Sequence, residues 1–266
     1  MPAFLTDSNC EPGFPVTIWA IADLHLSFGI KNKEMDVFGA EWAQHFDQVE
    51  QHWRERITDD DLVLIAGDSS WAMHLRDALA DLNWIHSLPG TKVIIKGNHD
   101  FWWSSGKKMR AAMPSSIHFI HNNAYTWNDV TIAGARLWDS PEYRFHDYID
   151  FRENALTSKA PKKEDLNAEE EAERIFQREL NRLEISLKDM SPGCSQRIVM
   201  THYPPIGADL ADSRVSKILE GYKIQHCIFG HLHSLRQGVN MFGEKNGVKY
   251  WLTSCDYLNF IPIEIA

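Results

Sequence analysis

The sequence of 266 residues has few cysteines, no long apolar run and a shortage of positive charge, and each of these absences excludes a class of protein. Its cysteines lie far apart, so neither a CxxC zinc site nor a disulfide framework is predicted for Cys10, Cys194, Cys227 and Cys255. The longest apolar stretches have the length of a strand, and no signal peptide is visible. We therefore expect a cytoplasmic protein with no membrane partner.

Lys and Arg number 27 against 37 Asp and Glu, which gives a formal net charge of −10. Proteins that bind nucleic acid neutralise its phosphates with Lys and Arg, so this balance argues against a nucleic-acid partner. The hydrophobic fraction of 44% is that of a globular protein with a full core. Thirteen histidines on such an acidic chain are the unusual feature, and their positions need an explanation.

Short β-branched runs alternate with helical patterns along the chain, which predicts an α/β fold. Strands are predicted at 16–22, 62–66, 93–96, 130–133, 197–201, 224–229, 249–253 and 261–265. Several are apolar throughout, so we expect sheets that are covered on both faces. Residues 1–266 are interpreted as one domain with a charged helical insertion at about 159–189. The insertion is predicted to be a surface helix, and a cap over the active site or an oligomer contact is the alternative.

Five polar motifs each follow a predicted strand. They are Asp23-Leu24-His25, Gly67-Asp68, Gly97-Asn98-His99-Asp100, Thr201-His202-Tyr203 and Gly230-His231-Leu232-His233. Each motif alone could be ordinary turn chemistry. Together they contain three Asp, one Asn and five His but no thiol, at the strand ends where α/β sheets build their sites. Such donors suit Mn, Fe, Zn, Co or Ni, and they suffice for two divalent ions that share a carboxylate.

The order DxH, GD, GNHD, H and GHxH resembles the calcineurin-like metallophosphoesterase superfamily over about four fifths of the chain. The resemblance implies a two-sheet α-β-β-α sandwich with a dimetal site on the loops that follow the strands. It places the family's ligands on seven residues: Asp23, His25 and His233 for the first ion, Asp68 as the bridge, and Asn98, His202 and His231 for the second ion. His99 would face the substrate phosphate without binding a metal.

The expected chemistry is hydrolysis of a phosphomonoester or phosphodiester. Two ions would generate hydroxide at neutral pH and clamp the phosphate oxygens, with Mn²⁺ the expected metal in vitro. His99 could then donate a proton to the leaving oxygen. Asp100 would orient His99, cap the following helix or belong to the shell behind the ligands. Because the ions carry positive charge, an acidic protein can still bind a small phosphorylated substrate.

Two motifs differ from those of two branches of the superfamily, and these differences narrow the range of expected substrates. The motif Gly67-Asp68-Ser69 lacks the GDxVDRG arginine of Ser/Thr protein phosphatases, and His99 replaces the Arg of the GNRD pyrophosphohydrolases of lipid A precursors. The sequences of the motifs are similar to those of the group that contains the class III cyclic-nucleotide phosphodiesterases. One of three aromatic residues near the motifs could stack on the substrate: Trp71, Trp102 or Trp103. Three arginines that follow the fourth predicted strand could contact its phosphate: Arg136, Arg144 and Arg152.

Two alternatives stay open at this point. A nuclease would share the same motifs, although the charge of −10 disfavours it. A non-catalytic scaffold is a different class, because some members of the superfamily act as protein-binding platforms. Such members generally lose ligands or the GNH histidine, whereas every motif position is filled here. The oligomeric state and the natural substrate are not predicted.

Overall fold

The computed structural model describes residues 17–33, 35–150, 166–236, 238, 239 and 241–266. The described part of the chain contains strands β1 (Ile18–Ile21), β2 (Leu62–Ile65), β3 (Thr91–Ile94), β4 (Ile117–Phe119), β5 (Tyr125–Trp127), β6 (Val130–Ala135), β7 (Gln196–Thr201), β8 (His226–Phe229), β9 (Gly243–Lys245), β10 (Val248–Leu252) and β11 (Ile263–Glu264). Its α-helices are α1 (His45–Arg56), α2 (Leu75–Ser87), α3 (Gly106–Ala112), α4 (Leu166–Lys188) and α5 (Arg214–Gly221).

The strands form two sheets whose central pairs are parallel. The first sheet has the order β11-β1-β2-β3-β4 and the second the order β5-β6-β7-β8-β10-β9, with antiparallel strands β11, β5 and β9 at edges. The sheets meet where β1 and β10 end, because Ala22 N–H donates to the carbonyl of Thr253 at 2.7 Å. The carboxyl ends of both parallel sets therefore lie at a common edge.

Three apolar layers hold the sandwich together. Alternation along β2 shows the division: Leu62 and Leu64 pack between the sheets, whereas Val63 and Ile65 pack against the helices that cover the first sheet. Helices α4 and α5 cover the second sheet in the same way. Burying one such side chain stabilises the fold by roughly 1.5–3 kcal/mol. The predicted α/β sandwich of two sheets is confirmed.

The strands that the sequence pattern predicts are present with bounds that differ by a few residues. Three short strands were not predicted: β4, β5 and β9. Each has only three residues and lies at a sheet edge, where the pattern of buried residues is weak. Helix α4 falls in the predicted insertion at 159–189, of which 159–165 lies outside the described residues. Among the described helices, none combines the length and apolar character that crossing a bilayer requires.

Candidate metal centre

The predicted ligands come together at the edge where the two sheets meet. The first sheet contributes Asp23 and His25 after β1, Asp68 after β2 and Asn98 after β3; the second contributes His202 after β7 and His231 and His233 after β8. Parallel strands of one sandwich bring their carboxyl ends to the same side, so distant parts of the sequence become neighbours.

One group of donors consists of Asp23, His25 and His233. The Nε2 atoms of His25 and His233 lie 3.4 Å apart, and His233 Nε2 lies 3.5 Å from Asp23 Oδ1. One donor atom from each of the three residues lies within 4.8 Å of the others, so the group is compact enough to hold an ion. These are the residues that the family resemblance assigns to the first ion.

The second group adjoins the first through Asp68. Asp68 Oδ2 lies 3.5 Å from His202 Nε2 and 3.8 Å from His25 Nε2, which places this oxygen between the two groups. Asn98 Oδ1 lies 2.5 Å from His202 Nε2 and 2.9 Å from His231 Nδ1. A bridging carboxylate would occupy such a position. Asp23 lies near both groups as well, since it also forms a compact set with Asp68 and His202.

The backbone turns sharply at four of these residues. Asp23, His25, Asp68 and His231 have φ values of 59°, 46°, 51° and 74°, in the left-handed region that residues with a Cβ seldom adopt. Such strain persists only where the surrounding structure enforces it, and it concentrates at functional sites.

The glycines of the motifs permit close contact with the ligands. A Cβ atom on Gly97 would collide with the carboxylate of Asp68, and one on Gly230 would collide with that of Asp23. Any larger residue at either position would displace a predicted ligand, so these glycines belong to the site for steric reasons.

The donor set fits divalent cations. Asp23 Oδ1 is buried and accepts no hydrogen bond, which is costly for a carboxylate oxygen unless a cation lies beside it. Burial would raise the pKa of Asp23, but the imidazoles of His233, His202 and His25 hold it below its ordinary value. Burial and then the charge of Asp23 raise the pKa of Asp68 to about 8. Two carboxylates buried this close together repel one another, and divalent ions would relieve that repulsion.

Main-chain and carboxylate acceptors orient two of the imidazoles. His202 Nδ1 lies 3.0 Å from the carbonyl oxygen of Ala66, which directs Nε2 towards Asp68. His233 Nδ1 lies 2.9 Å from Asp256 Oδ1, and Asp256 Oδ2 also accepts the Ser234 N–H. Partners of this kind fix the ring of a metal-binding histidine. Sequence reasoning missed Asp256, although its place shortly after a predicted strand was the same signal that identified the other motifs.

Asp100 does not cap a helix, so that part of the prediction is wrong. Helix α3 begins only at Gly106, and Asp100 instead accepts N–H groups from Gly97 and from the three residues Asp68, Ser69 and Ser70. The Trp102 indole also donates to it, at 2.8 Å. Asp100 therefore ties the loop that follows β2 to the loop that follows β3. Burial and the neighbouring Asp68 raise the pKa of Asp100 to about 6.

His99 lies beside the donor groups. Its main-chain N–H donates to Asp68 Oδ1 at 2.8 Å, and its ring centroid lies 5.5 Å from that of His25 and 4.3 Å from that of Trp71. Burial, followed by the charges of His202 and His233, lowers the pKa of His99 to about 4. The ring is therefore neutral at pH 7 before substrate arrives.

The three tryptophans near the motifs have different environments. Trp71 stacks on His25 with 4.9 Å between ring centroids, and the indole donates to Met35 Sδ. Trp103 is half-buried and donates to His121 at 2.9 Å. Trp102 is only 2% exposed, so it has no free face on which a substrate could stack. Of the three arginines, Arg136 and Arg144 line separate cavities near the centre, and Arg152 lies outside the described residues.

Comparison with known proteins defines the class. Residues 16–235 match the calcineurin-like phosphoesterase family, and the chain belongs to that family. A solved structure similar to this chain is the phosphopantetheinyl hydrolase of Mycobacterium tuberculosis, with 14% identity, coverage of 94% of this chain and 95% of that one, and a TM-score of 0.52. Another is a protein of unknown function from Aquifex aeolicus, with 14% identity, the same coverage and a TM-score of 0.47.

Among curated proteins, the chain is similar to the Gene 66 protein of Mycobacterium phage D29. The two are 32% identical over 83 residues, which is 31% of this chain and 40% of the phage protein. The chain therefore matches less than half the length of that relative.

Proposed function

We propose that this protein is a metal-dependent phosphohydrolase that cleaves a phosphomonoester or phosphodiester of a small molecule at a centre of two divalent ions. The observation that supports this most directly is the position of Asp68 Oδ2, which lies within 4 Å of an imidazole from each donor group. The seven oxygen and imidazole donors suit ions of borderline hardness, and we propose Mn²⁺ for activity in vitro.

Two bound ions would supply a nucleophile at neutral pH and stabilise the charge of the transferred phosphoryl group. The residues of the chain would position those charges: Asp23 and Asp68 offset them, and Asp100 holds the loops in place. His99 would donate a proton to the leaving oxygen. A bound phosphate would raise the pKa of His99, because a nearby negative charge favours the imidazolium. In this proposal the imidazole takes up a proton from solvent as the phosphate binds and passes that proton to the leaving oxygen.

The variant His99→Gln tests the role of this residue. We expect it to keep its metal content and to lower kcat by about 10²–10⁴-fold for an alkyl phosphate, which has a poor leaving group. The loss should be smaller for p-nitrophenyl phosphate, whose leaving group needs no proton. His74→Gln is the matched control, since His74 is exposed at the start of α2. Metal loss in His99→Gln, or equal losses on both substrates, would contradict the role.

A panel of phosphoesters tests the proposed activity. Monoesters, cyclic and linear diesters, nucleotides, pyrophosphates, single-stranded DNA and RNA would each be incubated with the Mn²⁺-reconstituted protein. We expect turnover of a small monoester or diester and none of nucleic acid. Cleavage of nucleic acid alone would favour the nuclease, whereas no turnover together with less than about one bound ion per chain would favour the scaffold.

A further inference from the structure

A second feature lies beside the proposed centre: a cavity of about 340 Å³ between helix α4 and the carboxyl ends of β3, β4 and β6. Four cationic side chains line it, namely Lys96, Arg136, Arg178 and Arg182. The chain as a whole carries a formal charge of −10, so this concentration of positive charge runs against the average composition.

One buried carboxylate faces these cations and cannot neutralise them. Glu179 is 1% exposed, and its Oε1 lies 2.9 Å from Arg182, 3.5 Å from Arg136 and 3.6 Å from Arg178. Among the described residues that line the cavity, it is the one acidic side chain. If the arginines served only to pair with Glu179, a single one would suffice. The surplus of positive charge is typical of a site that awaits an anion.

Arg136 supplies an independent indication. Its side chain is 15% exposed, and its Nε atom is buried without a hydrogen-bond partner. A buried donor without a partner is costly, and an anion in the cavity would satisfy it. The planar guanidinium fork of arginine matches the oxygen geometry of phosphate.

The cavity and the metal centre are built from the same strand ends. Lys96 stands two residues before Asn98 on the loop that follows β3. Strands β6 and β7 pair in parallel with Ala135 opposite Thr201, so Arg136 lies beside His202. The carbonyl oxygen of Arg136 accepts the His202 N–H at 3.1 Å. Two of the cations that line the cavity are therefore neighbours of predicted ligands, Lys96 along the backbone and Arg136 across the sheet.

We infer that this cavity binds a second phosphoryl group of the substrate, so that the natural substrate carries two phosphoryl groups separated by a short spacer. One group would be hydrolysed at the metal centre, and Arg136, Arg178 and Arg182 would hold the other. The inference rests on the proposed function, because it assigns a substrate class to that same site. It also gives helix α4 a part in substrate recognition.

Phosphonates that resist hydrolysis test the inference. Binding of alkylphosphonates and of α,ω-alkane bisphosphonates with spacers of about two to four carbons would be measured by calorimetry on the Mn²⁺-loaded full chain. We expect one bisphosphonate to bind about tenfold or more tightly than the alkylphosphonate of the same carbon number. The double variant Arg178→Gln/Arg182→Gln should lose this preference. Arg174→Gln, which removes an exposed arginine of α4 that does not line the cavity, should keep it.

Three outcomes would overturn the inference. The first is that no bisphosphonate binds more tightly than its alkylphosphonate. The second is that the double variant keeps the preference. The third is that inorganic phosphate binds in the cavity of the metal-free protein with no preference for bisphosphonates. The last result would identify a site for a free anion instead of a substrate subsite. Turnover of p-nitrophenyl phosphate is measured in parallel. If turnover is absent but the preference is present, only the proposed activity fails; if turnover is present without the preference, only this inference fails.

Discussion

The two sheets contribute different chemistry to the candidate metal centre. The first sheet provides the oxygen donors Asp23, Asp68 and Asn98 and one imidazole, whereas the second provides imidazoles alone. We call the donors from the first sheet the first half of the centre and those from the second sheet the second half. The carboxylates of the first half accept main-chain N–H groups, such as that of His99 on Asp68 at 2.8 Å. Two imidazoles of the second sheet are oriented through their Nδ1 atoms, that of His202 by the carbonyl oxygen of Ala66 and that of His233 by Asp256. In the proposed centre the first half would therefore carry the negative charge and the bridging carboxylate, and the second half would complete the coordination.

Asp68→Asn should cause the largest loss because it removes the charge of the bridging position. We expect neither ion to stay bound through gel filtration and turnover of p-nitrophenyl esters to fall by about 10³-fold or more. Metal content by mass spectrometry and steady-state kinetics are the measurements. Asp129→Asn, at an exposed aspartate whose carboxylate accepts hydrogen bonds from Ser195, is the control. Two tightly held ions in Asp68→Asn would refute the bridging role.

His231→Ala tests the second half of the centre and should have a smaller effect on metal binding. Its imidazole lies by Asn98 and outside the group formed by Asp23, His25 and His233. We therefore expect about one ion per chain to remain, with activity greatly reduced because the proposed chemistry needs both ions. If this variant loses both ions, the two donor groups do not hold separate ions.

Asp256→Ala should have a moderate effect, since Asp256 is not a predicted ligand and acts through its hydrogen bond and its charge on His233. We expect Mn²⁺ to bind about 10–100-fold more weakly, the usual cost of removing a partner that orients a ligand. Asp256→Asn keeps an acceptor for His233 and should restore part of the affinity. Equal affinities in Asp256→Ala and the original protein, measured by Mn²⁺ titration, would show that His233 needs no such partner.

Asp81→Asn should give the smallest effect, which is a change in how stability depends on pH. Asp81 is buried on α2, where it accepts the Ser70 hydroxyl behind the first half of the centre and the Phe28 N–H at 2.7 Å. Burial raises the pKa of Asp81 from 3.8 to about 6. The folded state therefore binds this proton more tightly, and the associated stability of about 3 kcal/mol is present below pH 3.8 and lost as pH rises through 6.

The asparagine variant cannot titrate at this position. The free energy of unfolding of the original protein minus that of Asp81→Asn should therefore fall from pH 4.5 to pH 7, as measured by urea denaturation. Asp47→Asn, at an exposed position of α1, is the control. If the free energy of unfolding of the original protein minus that of Asp81→Asn stays constant or rises with pH, burial does not raise the pKa of Asp81.

The sequence predicted much of this site because its chemistry lies in short motifs at strand ends, and parallel topology brings those ends together. The left-handed backbone of Asp23 and Asp68 could not be predicted, because it depends on contacts between loops. Trp102 illustrates the same difficulty: an aromatic residue beside a motif can belong to the core or to the site. The cavity could not be predicted either. Arg178 and Arg182 fit the charged pattern of a solvated helix face, and only the fold places them with Arg136 around Glu179.

The number of tightly bound Mn²⁺ ions per chain is the sharpest test of the proposed two-ion centre, since both halves of the centre must contribute ligands for two ions to bind. The full chain would be stripped of metal, reconstituted with Mn²⁺, freed of excess ion and measured by mass spectrometry. The proposed two-ion centre predicts about two ions per chain, falling to about one in His231→Ala and below one in Asp68→Asn. Fewer than about one ion in the original protein would contradict it.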